Sequence, residues 1–152
     1  MKFIVILGVL LSSLPAIAEP LDQALIEPLP ASAAFRGCGC TFTSPAVSSA
    51  PEAAIVFSSN YDGSARIASR GAIVDLTATR PDVDCQPARA GGRCALKYRG
   101  NGLRVVIKAR ATWVCPDDDT SESCEVVRLS GQMTAQVADV ERTVEVSGDC
   151  GC

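Results

Sequence analysis

Apolar and polar residues alternate with a period of two along most of the chain from residue 53 onward. The clearest example is Leu103–Val114, where every second residue is apolar and the residues between them are mixed. This pattern is typical of an antiparallel strand that buries one face and exposes the other. Asn101-Gly102 directly before it is a two-residue hairpin signal, which predicts that the strand pairs with Ala95–Arg99.

Further segments share this period or form short apolar runs between turn signals, and each is predicted to be a strand. They are Ala53–Ser58, Ser64–Ser69, Ala72–Thr79, Glu125–Val137 and Thr143–Ser147. Thr41–Glu52 is rich in Ser, Pro and Ala, which favours an extended loop. About seven short strands without a sustained helical period predict an all-β fold, a single small antiparallel barrel or sandwich over residues 38–152.

The N-terminal region has the order of features found in secretory signal peptides. Met1-Lys2 supplies a basic start, Phe3–Leu14 is an apolar run, and Ala16-Ile17-Ala18 ends in the pattern of a cleavage site. The apolar run is shorter than the roughly 20 residues that span a bilayer. We therefore expect cleavage after Ala18, so that the mature N-terminus reads Glu-Pro-Leu, and a soluble protein in the periplasm or outside the cell.

Residues 19–37 contain three prolines and connect the predicted signal peptide, residues 1–18, to the strand-rich region. Proline interrupts both helices and sheets, so this segment is predicted to be a loose leader with one helical turn at Leu21–Ile26. The predicted organisation is therefore a signal peptide, a leader and one β domain at 38–152.

Eight cysteines follow the predicted signal peptide, an even number that implies a disulfide framework in an exported protein. Cys85 and Cys94 enclose eight residues, as do Cys115 and Cys124, and both inserts are rich in turn-forming residues. Each pair is predicted to clamp the mouth of a loop, which stabilises the fold by about 2.5–3 kcal/mol in the chain-entropy model. Strand parity places Cys115 on an inner face and Cys124 on an outer face, so a bulge near Pro116 is expected.

The other four cysteines form two Cys-Gly-Cys units, at 38–40 and 150–152. Residues i and i+2 of a strand share a face, so each unit presents two sulfurs to one side. Antiparallel neighbours would join Cys38 to Cys152 and Cys40 to Cys150. Parallel neighbours would join Cys38 to Cys150 and Cys40 to Cys152. Either arrangement closes a loop of over 100 residues, which stabilises the fold by about 4–5 kcal/mol.

Two other uses of these units compete with structural disulfides. Thiolates from Cys38, Cys40, Cys150 and Cys152 together match the donor set of Cu(I) or Zn²⁺. A Cys-Gly-Cys unit that closes on itself would instead be the oxidising disulfide of a thiol–disulfide redox protein. An oxidising compartment favours structural bridges, so we expect no metal and no cofactor, with the two other classes as alternatives.

Positive charge concentrates between residues 89 and 110, although the whole chain carries a formal charge of −3. This overall charge argues against a nucleic-acid-binding protein. Arg104, Lys108 and Arg110 share the outer face of one predicted strand and suit an anionic partner, such as an acidic protein or a cell-surface polymer. The same charges also suit a face that only keeps the protein soluble. The other basic residues of the region are Arg89, Arg93, Lys97 and Arg99.

The sequence carries no enzyme motif. Because the chain has no histidine, Ser-His-Asp and Cys-His arrangements are excluded, and no phosphate loop or nucleophile elbow is present. We therefore predict no catalytic residue. Trp113 lies on the apolar face of its strand and is predicted to be in the core. An acidic cluster between Cys115 and Cys124 is predicted to be a solvated loop tip rather than a calcium site. The cluster comprises Asp117, Asp118, Asp119 and Glu122.

Residues 61–110 resemble part of the periplasmic inhibitors of c-type lysozyme, through strand segments such as Ala65–Leu76 and Tyr98–Ile107. The Ser-Gly-x-x-Tyr loop of those inhibitors is absent, and Lys97-Tyr98-Arg99-Gly100 is the nearest string. No inhibitory residue is therefore carried over. The sequence as a whole predicts an exported, non-enzymatic, disulfide-stabilised binding or structural module.

Overall fold

The computed structural model describes residues 25–80, 85–116 and 124–152. The predicted signal peptide at 1–18 lies outside the described residues. Of the predicted helical turn, only Leu25 and Ile26 are described, and both lie in a bend. The acidic residues of the predicted loop tip also lie outside the described residues: Asp117, Asp118, Asp119 and Glu122.

Within these ranges the chain forms eight antiparallel strands that close into a barrel. Each strand pairs with the next strand in the sequence, and the first strand also pairs with the last. The strands are β1 Gly39–Ser44, β2 Ala54–Asn60, β3 Ser64–Ser69, β4 Ala72–Ala78, β5 Arg93–Gly100, β6 Leu103–Trp113, β7 Val126–Val137 and β8 Val140–Gly151. The all-β prediction is confirmed, and of the two predicted architectures the chain adopts the barrel.

The additional strand, β1, lies where the sequence predicted the extended loop Thr41–Glu52. Its side chains alternate, with Cys40, Phe42 and Ser44 buried. The sequence pattern conceals this strand because one of the buried positions is a serine. The hydroxyl of Ser44 donates a 2.7 Å hydrogen bond to the carbonyl oxygen of Glu145, which allows a polar residue to be buried there.

Inward-facing side chains fill the barrel, as expected for an eight-stranded barrel of this kind. The ring centroids of Phe42 and Phe57 are 6.1 Å apart, and those of Phe57 and Tyr98 are 5.2 Å apart. These three rings join β1, β2 and β5 across the interior. Aliphatic side chains and a methionine complete the core around them: Ile67, Leu76, Leu96, Val105, Ile107, Leu129 and Met133.

Two glycines allow the longest strands, β7 and β8, to approach their neighbours. A Cβ atom at Gly131 would overlap the carbonyl oxygen of Lys108 on β6. A Cβ atom at Gly148 would overlap the carbonyl oxygen of Thr41 on β1 and crowd the ring of Phe42. Gly131 therefore permits the close approach of β7 to β6, and Gly148 permits that of β8 to β1, where the barrel closes.

Residues 25–35, which we name the strap, run beside β2 and β3 and hydrogen-bond to backbone carbonyl oxygens of both strands. Leu25 and Leu29 are buried there, with 0% and 3% of their surface exposed. The backbone amide of Glu27 donates a 3.0 Å hydrogen bond to the carbonyl oxygen of Ala68 on β3. The prediction of a loose leader is wrong for this segment, because apolar residues between its prolines give it a face to bury.

Arg66 on β3 holds the end of the strap against the barrel. Its guanidinium lies 4.5 Å from the centroid of the Phe35 ring and donates a 3.2 Å hydrogen bond to the carbonyl oxygen of Ala33. The same side chain forms a 2.8 Å ion pair with Asp75 on β4. Polar contacts therefore secure the strap at one end and apolar burial secures it at the other.

The up-and-down order of the strands places all four disulfides at one end of the barrel. Odd-numbered strands begin and even-numbered strands end at this disulfide end, so it collects both Cys-Gly-Cys units and both loop clamps. The opposite end, which we name the hairpin end, carries the β3–β4, β5–β6 and β7–β8 turns and no cysteine. The two ends of the barrel are therefore stabilised by different means.

Candidate anion-binding face

The pairing of β5 with β6 places basic residues of both strands on one outer face. The register sets Arg93 opposite Arg110 near the disulfide end and Arg99 opposite Arg104 near the hairpin end. Two lysines lie between these arginine pairs, and all six side chains are exposed. We name this set the basic stripe: Arg93, Lys97, Arg99, Arg104, Lys108 and Arg110. Arg89 lies before β5 and is not part of it.

Among the described residues, no ion pair offsets the like charges of the basic stripe. Like charges directly opposite each other on a sheet are destabilising, by about 0.2–1 kcal/mol per pair. No ion pair among the described residues involves a member of the stripe, whereas Arg66 and Asp75 show that the same barrel pairs opposite charges across β3 and β4. The arrangement of the stripe therefore needs an explanation other than folding.

The stripe is long and narrow. From Arg93 to Arg99 the strand extends about 20 Å, and β5 and β6 lie about 5 Å apart. Between the cations, the outer face carries only Ala95 and Val106. Where the neighbouring β7 lies beside the stripe, its outer residues are polar and uncharged: Ser130, Gln132, Thr134 and Gln136.

A surface groove of ≈ 670 Å³ runs along the half of the stripe nearer the disulfide end. Lys97 and Lys108 contribute to its lining, and Ala95 between the cations is too small to fill it. On the far side of β7, Glu145 borders the groove and accepts a 2.7 Å hydrogen bond from the side-chain amide of Gln132. The groove therefore has a basic side and an acidic edge.

The acidic edge extends along the outer face of β8, which carries Glu141, Glu145 and Asp149 in exposed positions. β7 separates these carboxylates from β6, at a spacing of about 10 Å across two strand intervals. The sequence prediction ended the last strand at Ser147 and began it at Thr143, so it did not place the three acids on one face. The three acids are four residues apart, so a prediction of the longer strand would have placed them on one face.

The prediction that Trp113 lies in the core is wrong. Trp113 is 36% exposed, and the guanidinium of Arg128 lies 5.4 Å from its ring centroid. The pairing of β6 with β7 shifts register between Ala111 and Trp113, so the inward alternation ends before the tryptophan. This irregularity lies upstream of Pro116, near which a bulge was expected.

All eight cysteines are paired in disulfides. In both terminal pairs the Cα atoms are 4.1 Å apart, the short spacing of non-hydrogen-bonded positions in an antiparallel pair. No group of metal-ligating side chains is found among the described residues, so the thiolate metal site and the redox alternative have no support. The pairs are Cys38–Cys152, Cys40–Cys150, Cys85–Cys94 and Cys115–Cys124.

Tyr98 makes the stability of the barrel fall with rising pH in the alkaline range. Only 1% of its surface is exposed, and this burial raises the pKa of its phenol. The negative charge of Asp62 raises the pKa further, whereas a hydrogen bond to Ser59 lowers it. Since the pKa is higher in the folded state, the unfolded chain ionises first. The contribution of Tyr98 is therefore complete below about pH 10 and is lost as the pH rises towards the folded pKa.

A tyrosine titration tests this dependence. The chain has two tyrosines, so a Tyr61→Phe variant leaves Tyr98 as the single phenol. We expect phenolate absorbance to appear at higher pH in the folded variant than in the same variant unfolded in urea. Coincident midpoints in the two states would contradict the expectation.

Comparisons with known protein families, curated proteins and solved structures find no match. No helix among the described residues is long and apolar enough to cross a membrane. The function must therefore be argued from the barrel and the basic stripe on its wall.

Proposed function

We propose that this protein is an exported, non-enzymatic binding module whose basic stripe recognises an anionic partner. The observation that carries the proposal is the register of β5 and β6, which sets arginine opposite arginine at both ends of the stripe. An anion between two guanidinium groups would turn this repulsion into attraction. Arginine also binds carboxylate and related oxyanions with two parallel hydrogen bonds, which suits it to such a role.

The disulfide-rich barrel supports the proposal as a rigid frame for this face. Adjacent strands hold the cations at fixed spacing, so less conformational entropy is lost when a partner binds. Four disulfides suit an oxidising compartment, and the predicted signal peptide would direct the chain to the periplasm or the extracellular space. In this proposal the anionic partner is bound by Arg104, Lys108 and Arg110 of β6, together with the three basic residues of β5.

Neutralising the β6 half of the stripe tests the proposal. The stripe variant, Arg104→Gln/Lys108→Gln/Arg110→Gln, should bind anionic polymers about tenfold more weakly, since each exposed contact contributes roughly 0.2–1 kcal/mol. Dextran sulfate and poly-glutamate are suitable probes, measured by titration calorimetry at several salt concentrations. The affinity of the wild-type protein should fall steeply with salt, and that of the stripe variant less steeply.

A matched control removes the same charge elsewhere. Arg36→Gln/Arg70→Gln/Arg80→Gln changes three exposed arginines outside the stripe and should leave the affinity nearly unchanged. The stripe variant should also be at least as stable as the wild type, because each relieved arginine pair contributes about 0.2–1 kcal/mol. The proposal is wrong if the two variants bind alike, or if the stripe variant unfolds more easily than the control.

A further inference from the structure

We infer that the occupant of the basic stripe is a single linear polysaccharide chain that carries carboxylate or sulfate groups. The inference rests on the proposed function and adds the chemical class of the partner. It follows from the width of the stripe, the side chains between its cations and the polar strand beside it.

The acidic edge of β8 limits the width of an anionic partner. Glu141 and Glu145 lie about 10 Å from β6, which is about one Debye length at 0.1 M salt. A nucleic acid duplex or the surface of an acidic folded protein would extend over β7 and meet these carboxylates. A single narrow chain can follow the roughly 20 Å of the stripe without reaching them.

The side chains between the cations distinguish a polysaccharide from other narrow chains. Protein interfaces centre on large apolar or aromatic side chains, whereas the stripe offers only Ala95 and Val106. Single-stranded nucleic acids are held largely by stacking on aromatic rings. The outer positions of β5 and β6 between the cations carry no aromatic residue, and Trp113 beyond them packs against Arg128. A charged chain that needs no aromatic or apolar anchor fits best.

β7 supplies the neutral polar contacts that a sugar chain uses. Ser130 lies opposite Arg110, and Thr134 lies opposite Val106 between the cations, where its hydroxyl also shares a 2.8 Å hydrogen bond with that of Thr143 on β8. Hydroxyl groups alongside guanidinium and ammonium groups match a polymer whose units carry both hydroxyls and anionic groups.

Direct comparison of probes tests the inference with the full, disulfide-bonded chain. Size-fractionated heparin oligosaccharides serve as the polysaccharide, and poly-glutamate, oligodeoxythymidine and duplex DNA of equal charge serve as comparisons. We expect the oligosaccharides to bind about tenfold tighter than each comparison probe. Their affinity should rise with length until the chain covers about 20 Å and then level off.

Two variants examine the separate arguments. Ser130→Ala/Thr134→Val removes the hydroxyls and should weaken oligosaccharide binding about threefold or more, with little effect on poly-glutamate. Glu141→Gln/Glu145→Gln removes the acidic edge and should strengthen the binding of duplex DNA much more than that of the oligosaccharides.

The outcomes separate this inference from the proposed function. If poly-glutamate or a nucleic acid binds as tightly as the oligosaccharides, and the stripe variant loses that binding, the partner class is wrong and the proposed function stands. The inference is also contradicted if the Glu141→Gln/Glu145→Gln variant gains affinity equally for duplex DNA and for the oligosaccharides. If no anionic probe binds through the stripe, both the inference and the proposed function are overturned.

Discussion

A variant that lacks both terminal disulfides is expected to lose about 4–5 kcal/mol of unfolding free energy. The two bridges join cysteines 114 and 110 positions apart, so together they remove a very large loop from the unfolded ensemble. The variant replaces four residues by alanine: Cys38, Cys40, Cys150 and Cys152. Urea denaturation measures the loss, and the slope of the transition should increase because the unfolded chain becomes less compact.

Removing only one of these bridges should cost far less, because the other keeps the loop closed. Loss of the exposed Cys38–Cys152 pair should be nearly neutral, and loss of the buried Cys40–Cys150 pair should cost about 1 kcal/mol in packing. The sum of the two single effects should therefore be much smaller than the effect of removing both. Additive effects would show that the bridges do not act through one shared loop.

The Cys115–Cys124 clamp provides a control of different loop length. Its cysteines are 9 positions apart, so the same model expects a loss of about 2.5–3 kcal/mol when both become alanine. A larger loss than that of the terminal bridges would contradict the dependence on loop length.

Phe57→Ala is expected to lower the unfolding free energy by about 3–5 kcal/mol. Phe57 is fully buried and is the central ring of the cluster, in contact range of both Phe42 and Tyr98. Its removal would leave a cavity that neighbouring strands cannot fill, because a closed barrel has little freedom to contract. Thermal and urea denaturation of the oxidised protein would measure the loss.

A substitution at the surface tests whether the effect of Phe57→Ala comes from lost packing, and not from a general sensitivity of the barrel to truncation of apolar side chains. Ile73 on β4 is 50% exposed, so Ile73→Ala should change the unfolding free energy by no more than about 0.5 kcal/mol. If Phe57→Ala were equally mild, the aromatic cluster would not be the centre of the core.

The sequence predicts best the strands in which the apolar residues of the alternating pattern occupy the buried positions. β3 has its predicted limits, and β6 ends one residue before its predicted limit. β8 is longer than predicted because Arg142 and Gly148 occupy positions of its inward-facing series, and neither is recognised as apolar. The exposure of Trp113 was also hidden from sequence, since the register shift at the end of β6 depends on its pairing with β7.

The candidate site shows the same division between local and long-range information. Alternation places Arg104 and Lys108 on one face, and the Asn101-Gly102 turn brings the basic residues of β5 beside them. The acidic edge that makes the stripe narrow depends on β8 lying next to β7 and extending to Asp149. That neighbour is fixed by the completed barrel, which local patterns do not specify.

The topology also bears on how the correct disulfides are selected during oxidation. Every strand pairing except β1–β8 joins neighbours in sequence, and hairpins of this kind form faster than contacts between distant segments. Eight cysteines allow 105 pairings, but once the two nine-position clamps have closed, the four that remain allow only 3. The alignment of Cys40 with Cys150 in the last strand pair then favours one of these. Strand register thus provides the fidelity of oxidative folding at its final step.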